Sequence, residues 1–347
     1  MKIPNIERMT SFSKLIILCA ATYEDIWIYG TDDCVIVEQK DKTMFGLYVH
    51  SPVTSLSFVC GSEVISVGLQ DGTVSFWDIN KRINVSNHAQ IHLKPVSSIF
   101  LMPLSRSIVS TGLDVGTWGG ELLRINIIDN EVSQKGLCCK GAICDIAVKL
   151  NVNDGILVSC SDTEGYVYIA DINLTLKKCW KLGSPSLTLT GNKLSFLSES
   201  EVLIGCSDGC IRCFEFKSFN SNFYEYFNDL VNHRYHKISG QYKMPTFQND
   251  VVVCMDSYEG KKVLGYNSDT VTSVIKIDEF TFASISLDKY CKIWKLKESD
   301  KIEQIGEFLS QVPLYKGGVS RYTKCIILGG AFGVLYFLKM KYYGFSL

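Results

Sequence analysis

A pair of short apolar strands joined by a tight polar turn recurs along this chain, and its spacing leaves few folds open. The pattern appears as VISVGLQDGTVSFWDIN (64–80), LVSCSDTEGYVYIADIN (157–173), VLIGCSDGCIRCFEFK (202–217), FASISLDKYCKIWKLK (282–297) and IILGGAFGVLYFLK (326–339). Each turn places Gly or Asp where the backbone must turn left-handed or bond to a side chain: Asp71-Gly72, Glu164-Gly165, Asp208-Gly209, Asp288 and Gly333. The second strand of each pair alternates, the pattern of a half-buried strand. Turn positions 164 and 208 are 44 apart, as are 288 and 332. From 208 to 288 is 80, one period plus an insertion of about 36, and from 71 to 164 is 93, room for two periods. The unit between reads SIVSTGLDVGTWGGELLRINI (107–127), its turn lengthened by Gly116, Gly119 and Gly120. A weaker N-terminal unit runs through KLIILCAATYEDIWIYG (14–30) and CVIVEQ (34–39). That makes seven units.

A period of 40–45 residues with four short strands per unit is the signature of a β-propeller. One such unit cannot bury both its faces. A closed ring buries each face against a neighbour and leaves only short edges. The expected fold is therefore all-β, a single seven-bladed propeller over 1–347, with an insertion at about 218–262 between the fifth and sixth recognised blades. The strand over Val334 to about Lys341 leaves little chain after it, so the N-terminal residues 3–10 are expected to close the ring against the last blade.

The residues in these units resemble the WD-repeat propeller family over nearly the whole chain. Trp77-Asp78 follows Asp71-Gly72, Asp171 takes the same place after Tyr168-Ile169-Ala170, and Trp294 lies six residues after Asp288. Upstream, His50-Ser51-Pro52-Val53 and His92-Leu93-Lys94-Pro95-Val96 look like the family's Gly-His segment without its Gly. The resemblance implies a buried hydrogen-bonded set of His, Ser or Thr, Asp and Trp within a blade. Here one blade offers Ser284, Asp288 and Trp294 without the His, and another offers His50, Asp71 and Trp77 with Val67 at the Ser/Thr position.

Composition narrows the function. With 35 Lys+Arg against 36 Asp+Glu and no block of like charge, no direct nucleic-acid site is evident. The opening Lys2 to Ala21 imitates a secretory signal, but its apolar run is short and Glu7 interrupts its basic part. Glu24 and Asp25 end that run too early for a membrane span, so no membrane insertion is expected. A cytoplasmic or nuclear setting follows, and in it all 14 cysteines are expected to be free thiols.

Cys206, Cys210 and Cys213 imitate the spacing of an iron–sulfur motif, but residues 210 and 213 of one strand point to opposite faces. Cys138-Cys139, His88-x3-His92 and His233-x2-His236 each lack the geometry or second pair that zinc needs. No phosphate loop and no nucleophile elbow occur, so neither a catalytic set nor a cofactor is expected.

Two stretches point to partners. Trp77-Asp78-Ile79-Asn80-Lys81-Arg82 resembles the Trp-Asp-apolar-x-x-Arg segment of propellers that recruit substrates to cullin ubiquitin ligases, which would make Arg82 an adaptor contact; packing alone is the competing reading. In the insertion, residues 219–250 hold eight aromatics. Phe223, Tyr226, Phe227, Leu230 and Val231 fall at helical spacing behind an Asn222/Glu225 cap. This stripe either packs on the propeller or anchors a partner. The resemblance implies a non-enzymatic scaffold or adaptor among the proteins of a multi-subunit complex. A ubiquitin-ligase substrate receptor and a propeller hydrolase with a channel-mouth site are the alternatives.

Overall fold

The structure, a computed structural model, describes residues 5–11, 19–23, 26–39, 44–58, 63–85, 89–90, 95–101, 112–117, 120–126, 131–151, 155–171, 174–182, 190–198, 200–216, 261–297, 302–320 and 325–339. Apart from one 3-10 turn, Ala331–Gly333, the elements formed are strands.

These strands form seven antiparallel sheets. The chain begins with β1 (Asn5–Ser11), which belongs to the last of them. The first sheet is β2 (Cys19–Tyr23), β3 (Ile26–Gly30), β4 (Cys34–Gln39) and β5 (Phe45–Tyr48). The second is β6 (Val53–Phe58), β7 (Val64–Leu69) and β8 (Thr73–Asp78), edged by the two-residue strands β9 (Ile83–Asn84) and β10 (Ala89–Gln90). The third is β11 (Val96–Leu101), β12 (Gly112–Thr117), β13 (Glu121–Asn126) and β14 (Glu131–Cys138). The fourth is β15 (Ile143–Asn151), β16 (Gly155–Asp162), β17 (Tyr166–Ala170) and β18 (Leu176–Lys181). The fifth is β19 (Gly191–Phe196), β20 (Glu201–Cys206), β21 (Cys210–Glu215) and β22 (Lys261–Tyr266). The sixth is β23 (Val271–Lys276), β24 (Thr281–Ser286), β25 (Tyr290–Leu296) and β26 (Ile302–Leu309). The seventh is β27 (Leu314–Ser320), β28 (Cys325–Gly330), β29 (Val334–Lys339) and β1.

The first strands of the sheets, β2, β6, β11, β15, β19, β23 and β27, pack in succession, and β27 meets β2. The ring is closed. Its closure is made by β1 running antiparallel to β29, with Met9 opposite Tyr336 and Ser11 opposite Val334.

Packing between sheets explains why the middle strands are so apolar. Ile26 and Ile28 of β3 face the second sheet, in one cluster with Ile65 and Val67. Trp27 and Tyr29 of the same strand face the seventh, with Ile327 and Phe337. In β17, Tyr166 and Tyr168 share a cluster with Leu122 of the third sheet, while Val167 and Ile169 pack toward Ile204 and Phe214 of the fifth. A middle strand of a sheet, the second (β3) or the third (β17), is thus buried on both faces rather than half-buried, and its alternation separates two different cores. Cys206 and Cys213 likewise lie in separate clusters, so their thiols do not converge.

The hairpin turns fall where the repeat places them. Gly72, Gly165, Gly209 and Gly333 have φ of 85°, 80°, 79° and 67°. In the third sheet Gly116 lies inside β12, opposite Leu122, and does not lengthen the turn; Gly120 takes the left-handed position. β21 and β22 are neighbours in one sheet, Cys210 opposite Tyr266, although residues 217–260 separate them in sequence. That segment, with the stripe Phe223, Tyr226, Phe227, Leu230 and Val231, lies outside the described residues.

Deleting residues 1–11 would leave the edge of β29 unpaired, a template for pairing with other chains. Calorimetry and size-exclusion chromatography should show a melting temperature at least about 5 °C lower and new high-mass species.

Candidate functional site

Each sheet has one end bearing the turn between its second and third strands, and polar side chains gather there. In the sixth sheet Trp294 Nε1 donates to Ser284 Oγ at 2.8 Å, and Ser284 Oγ donates to Asn267 Oδ1 at 3.1 Å. Asn267 Nδ2 donates in turn to Asp288 Oδ1 at 3.4 Å. Asp288 also takes the backbone N–H groups of Ser268 and Tyr290, both at 2.9 Å. Asn267 can do this because its amide both accepts and donates. Sequence reasoning missed it, although a signal existed: Asn267 precedes Asp288 by 21 residues, the same interval as His50 before Asp71.

The other sheets depart from this relay in ways their residues explain. In the second sheet His50 Nε2 meets Asp71 Oδ2 at 2.8 Å, but Val67 cannot carry the chain inward. Trp77 Nε1 donates instead to Ser75 Oγ at 3.0 Å on its own strand. In the fourth, Tyr168 stands six residues after Asp162, as Trp294 does after Asp288, and its hydroxyl donates directly to Asp162 Oδ2 at 2.8 Å. In the fifth, Arg212 grips Asp208 with two parallel bonds of 2.7 and 2.5 Å. Asp78 and Asp171, aligned by sequence, do one job: each accepts a backbone N–H, of Lys81 and Thr175, at the turn before the outer strand.

The titration of these groups fits structural duty. Burial pushes the Asp208 carboxyl up, but the Arg212 fork and the Cys210 N–H outweigh it and hold the group below its ordinary range. Asp71 is lowered too: Thr73 and His50 outweigh its burial. Carboxyls lowered by folding contribute stability above their unfolded pKa of about 4, and it is lost as pH falls through the lowered folded value. A general acid needs the opposite shift. Burial pushes Cys206 and Cys291 up to about 12, which keeps both thiols protonated and unreactive near neutrality. Among the described residues ten cysteines are free, and no group of three or more His, Cys, Asp or Glu is placed to hold a metal ion. No helix among them is long and apolar enough to cross a membrane.

Two surface features bear on partners, besides the separately exposed Met44, Ile83, Val85 and Phe280. Arg82 is exposed, in a left-handed conformation with φ of 58°, and its guanidinium lies 4.2 Å from the centre of the Phe45 ring on the first sheet. Lys81 is drawn to Asp78 at 3.2 Å, so the turn is fixed from below. At the opposite ends of the strands, three consecutive sheets present large apolar side chains. Leu309 ends β26 opposite Tyr290, Tyr315 opens β27, Phe332 forms the β28–β29 turn and Tyr48 ends β5. Their exposures are 58%, 44%, 77% and 77%. Nothing in the sequence repeat distinguishes these four from core residues; only their position at strand ends does.

Residues 41–78 match the family model described as WD domain, G-beta repeat. The WD repeat-containing protein RUP2 of Arabidopsis thaliana is 28% identical over 188 residues, which cover 51% of this chain and 48% of that protein. The chain thus spans about half the length of this curated relative. A chain of the crystal structure of the mitotic checkpoint complex superposes with a TM-score of 0.70 at 13% identity, over 97% of this chain and 92% of that one. At that identity the likeness is one of fold.

Asn267→Ala would strand Ser284 and Trp294 in a buried network. Chemical denaturation should show a loss of about 1–3 kcal/mol, and Asn267→His, which puts the residue type of position 50 in the same place, should recover most of it.

Proposed function

We propose that this chain, a member of the WD-repeat family, is a non-enzymatic scaffold that holds other proteins in a multi-subunit complex of the cytoplasm or nucleus. The observation that carries this reading is the exposure of Tyr48, Leu309, Tyr315 and Phe332 at the same ends of the strands in three adjacent sheets. Exposed large apolar side chains are where partners bind, and aromatics dominate interface energetics. Phe332 adds a second argument. It holds φ of 58°, where a bulky L residue is strained by about 1–2 kcal/mol, and the neighbouring Gly333 would serve a turn without an aromatic beside it. Such strain on an exposed side chain is consistent with a contact that the free protein does not make. The lowered carboxyls and protonated thiols described above also favour a scaffold over a hydrolase.

In this reading Phe223, Tyr226, Phe227, Leu230 and Val231 form a second anchor; its support is their spacing in sequence. The test uses the tagged full chain in its native cell. Phe332→Gly relieves the left-handed strain, so the free protein should melt at the same or a higher temperature, while the proteins recovered with it fall at least several-fold by quantitative mass spectrometry. Undiminished recovery would remove this face from the interface.

The exposed guanidinium of Arg82 favours the narrower reading, a substrate receptor docked on a ubiquitin-ligase adaptor. Arg82→Asp should then abolish recovery of that adaptor, since a reversed charge at an interface pair costs several kcal/mol, about 2–5, while the melting temperature falls only by what the lost Phe45 contact contributes, about 0.5–1 kcal/mol. Absence of cullin components from the wild-type preparation would dismiss it.

A further inference from the structure

The connection between the third and fourth sheets, residues 139–142, has a partner for every backbone N–H. The Cys139 N–H donates to the Gly120 carbonyl at 2.8 Å, which keeps this residue at the edge of the third sheet. The next three cross to the fourth. Lys140 N–H donates to the Tyr168 hydroxyl at 3.1 Å, Gly141 N–H to Asp162 Oδ2 at 3.0 Å and Ala142 N–H to Thr163 Oγ1 at 3.0 Å. Cys139 is therefore the last residue whose backbone belongs to the third sheet, while its side chain packs against the fourth.

Cys160, Tyr168 and Cys179 stand opposite one another on β16, β17 and β18, so their side chains share one face of the fourth sheet. All three lie in the apolar cluster that includes Leu122 of the third sheet. There Cys139 Sγ lies 3.6 Å from Cys160 Sγ. A disulfide bond is about 2.05 Å long, so the sulfurs must approach by about 1.5 Å, which rotation about the Cα–Cβ bonds can cover. Cys179 is no rival for Cys160, because two strand spacings of about 4.8 Å separate them, beyond the reach of a disulfide.

The two thiols differ in access. Cys139 is half-buried and Cys160 is 1% exposed, so an oxidant from solvent meets Cys139 first. The hydrogen bond with Cys160 and burial, with the charge of Asp162 and Cys179 added, push the Cys139 thiol well above its ordinary range. The pair therefore rests as thiols near neutrality, and its oxidation needs a sustained supply of oxidant.

We propose that Cys139 and Cys160 are a site of reversible oxidation, joined as a disulfide when the chain meets a hydroperoxide. Hydrogen peroxide converts the Cys139 thiol to a sulfenic acid; its O–O bond breaks and one oxygen leaves as water. Cys160 Sγ then displaces the sulfenic oxygen, which forms the S–S bond and releases a second water. Two thiols thus give up two electrons and two protons to one peroxide, and a dithiol reductant returns them. The bond closes a loop over residues 139–160 that contains all of β15. That inner strand carries Asp145, which accepts from Ser98 of the third sheet and from the Leu194 N–H of the fifth. Oxidation fastens the third sheet to the fourth beside this junction. The site is independent of the partner face proposed above, and its failure would leave that face untouched.

The experiment exposes the full chain to hydrogen peroxide, alkylates the remaining thiols under denaturing conditions and maps disulfides by peptide mass spectrometry without reduction. The expected result is a peptide pair joining Cys139 to Cys160, lost on treatment with dithiothreitol, and a melting temperature a few degrees above that of the reduced chain. Cys160→Ser should leave Cys139 as a sulfenic acid that dimedone captures, and Cys139→Ser should leave Cys160 open to alkylation. Cys210→Ser, in the fifth sheet, should form the bond as the wild type does. If Cys160→Ser does not fold, the wild-type map and Cys139→Ser decide. A wild type in which both cysteines are still alkylated after oxidation, or in which Cys139 is joined to a different cysteine, would overturn the site. A linked chain that melts no higher than the reduced one would overturn the fastening.

Discussion

Burial on both faces of the middle strands is the constraint on which the remaining structure depends. Ile28 and Tyr29 are adjacent in β3 and fully buried, one against the second sheet and the other against the seventh. A sheet taken alone would expose two apolar faces to water, at roughly 25 cal/mol for each Å². Stability is thus a property of neighbours. Close approach is part of the same arrangement: a Cβ at Gly68 would stand 2.5 Å from Val96 Cγ1 of the next sheet, so even a methyl group is too much there.

Within that apolar frame the polar residues obey a stricter rule than resemblance. Each buried donor needs an acceptor, but the partner need not be the same in each sheet. Asn267 supplies what a histidine would, Tyr168 reaches its aspartate without an intermediate, and Arg212 replaces the upstream partner altogether. The incomplete family pattern seen in the sequence is therefore a set of local solutions, each built from the side chains its own sheet supplies.

Much of the fold was legible because its signals are periodic. Turn residues such as Gly72, Gly165 and Gly209 must be left-handed, so they recur with the repeat and mark it. The pairing of the N-terminal strand with the last sheet was expected, and Met9 lies opposite Tyr336. The third sheet was read less well, since Gly116 in a strand looks like Gly116 in a turn until its partner Leu122 is known. The surface was the least legible part. Tyr48 and Tyr29 are one residue type, yet one is 77% exposed and the other wholly buried, and only the position along the strand separates them. The Lys193 contact was invisible for a related reason: Lys193 and Gly317 are far apart in sequence and meet only because the ring brings the fifth and seventh sheets around one axis.

The pairing of β1 with β29 also sets a timetable. Ser11 lies opposite Val334, so roughly 320 residues of synthesis separate the two halves of one sheet. At about 5–20 residues per second the first strand waits on the order of 16–65 s for its partner. During that interval its backbone groups have no native ladder to join, and the first sheet has no seventh sheet to cover Trp27 and Tyr29. The newborn chain is therefore most vulnerable to mispairing before its last strands emerge, and a chaperone that shields the N-terminal strand would act in this window.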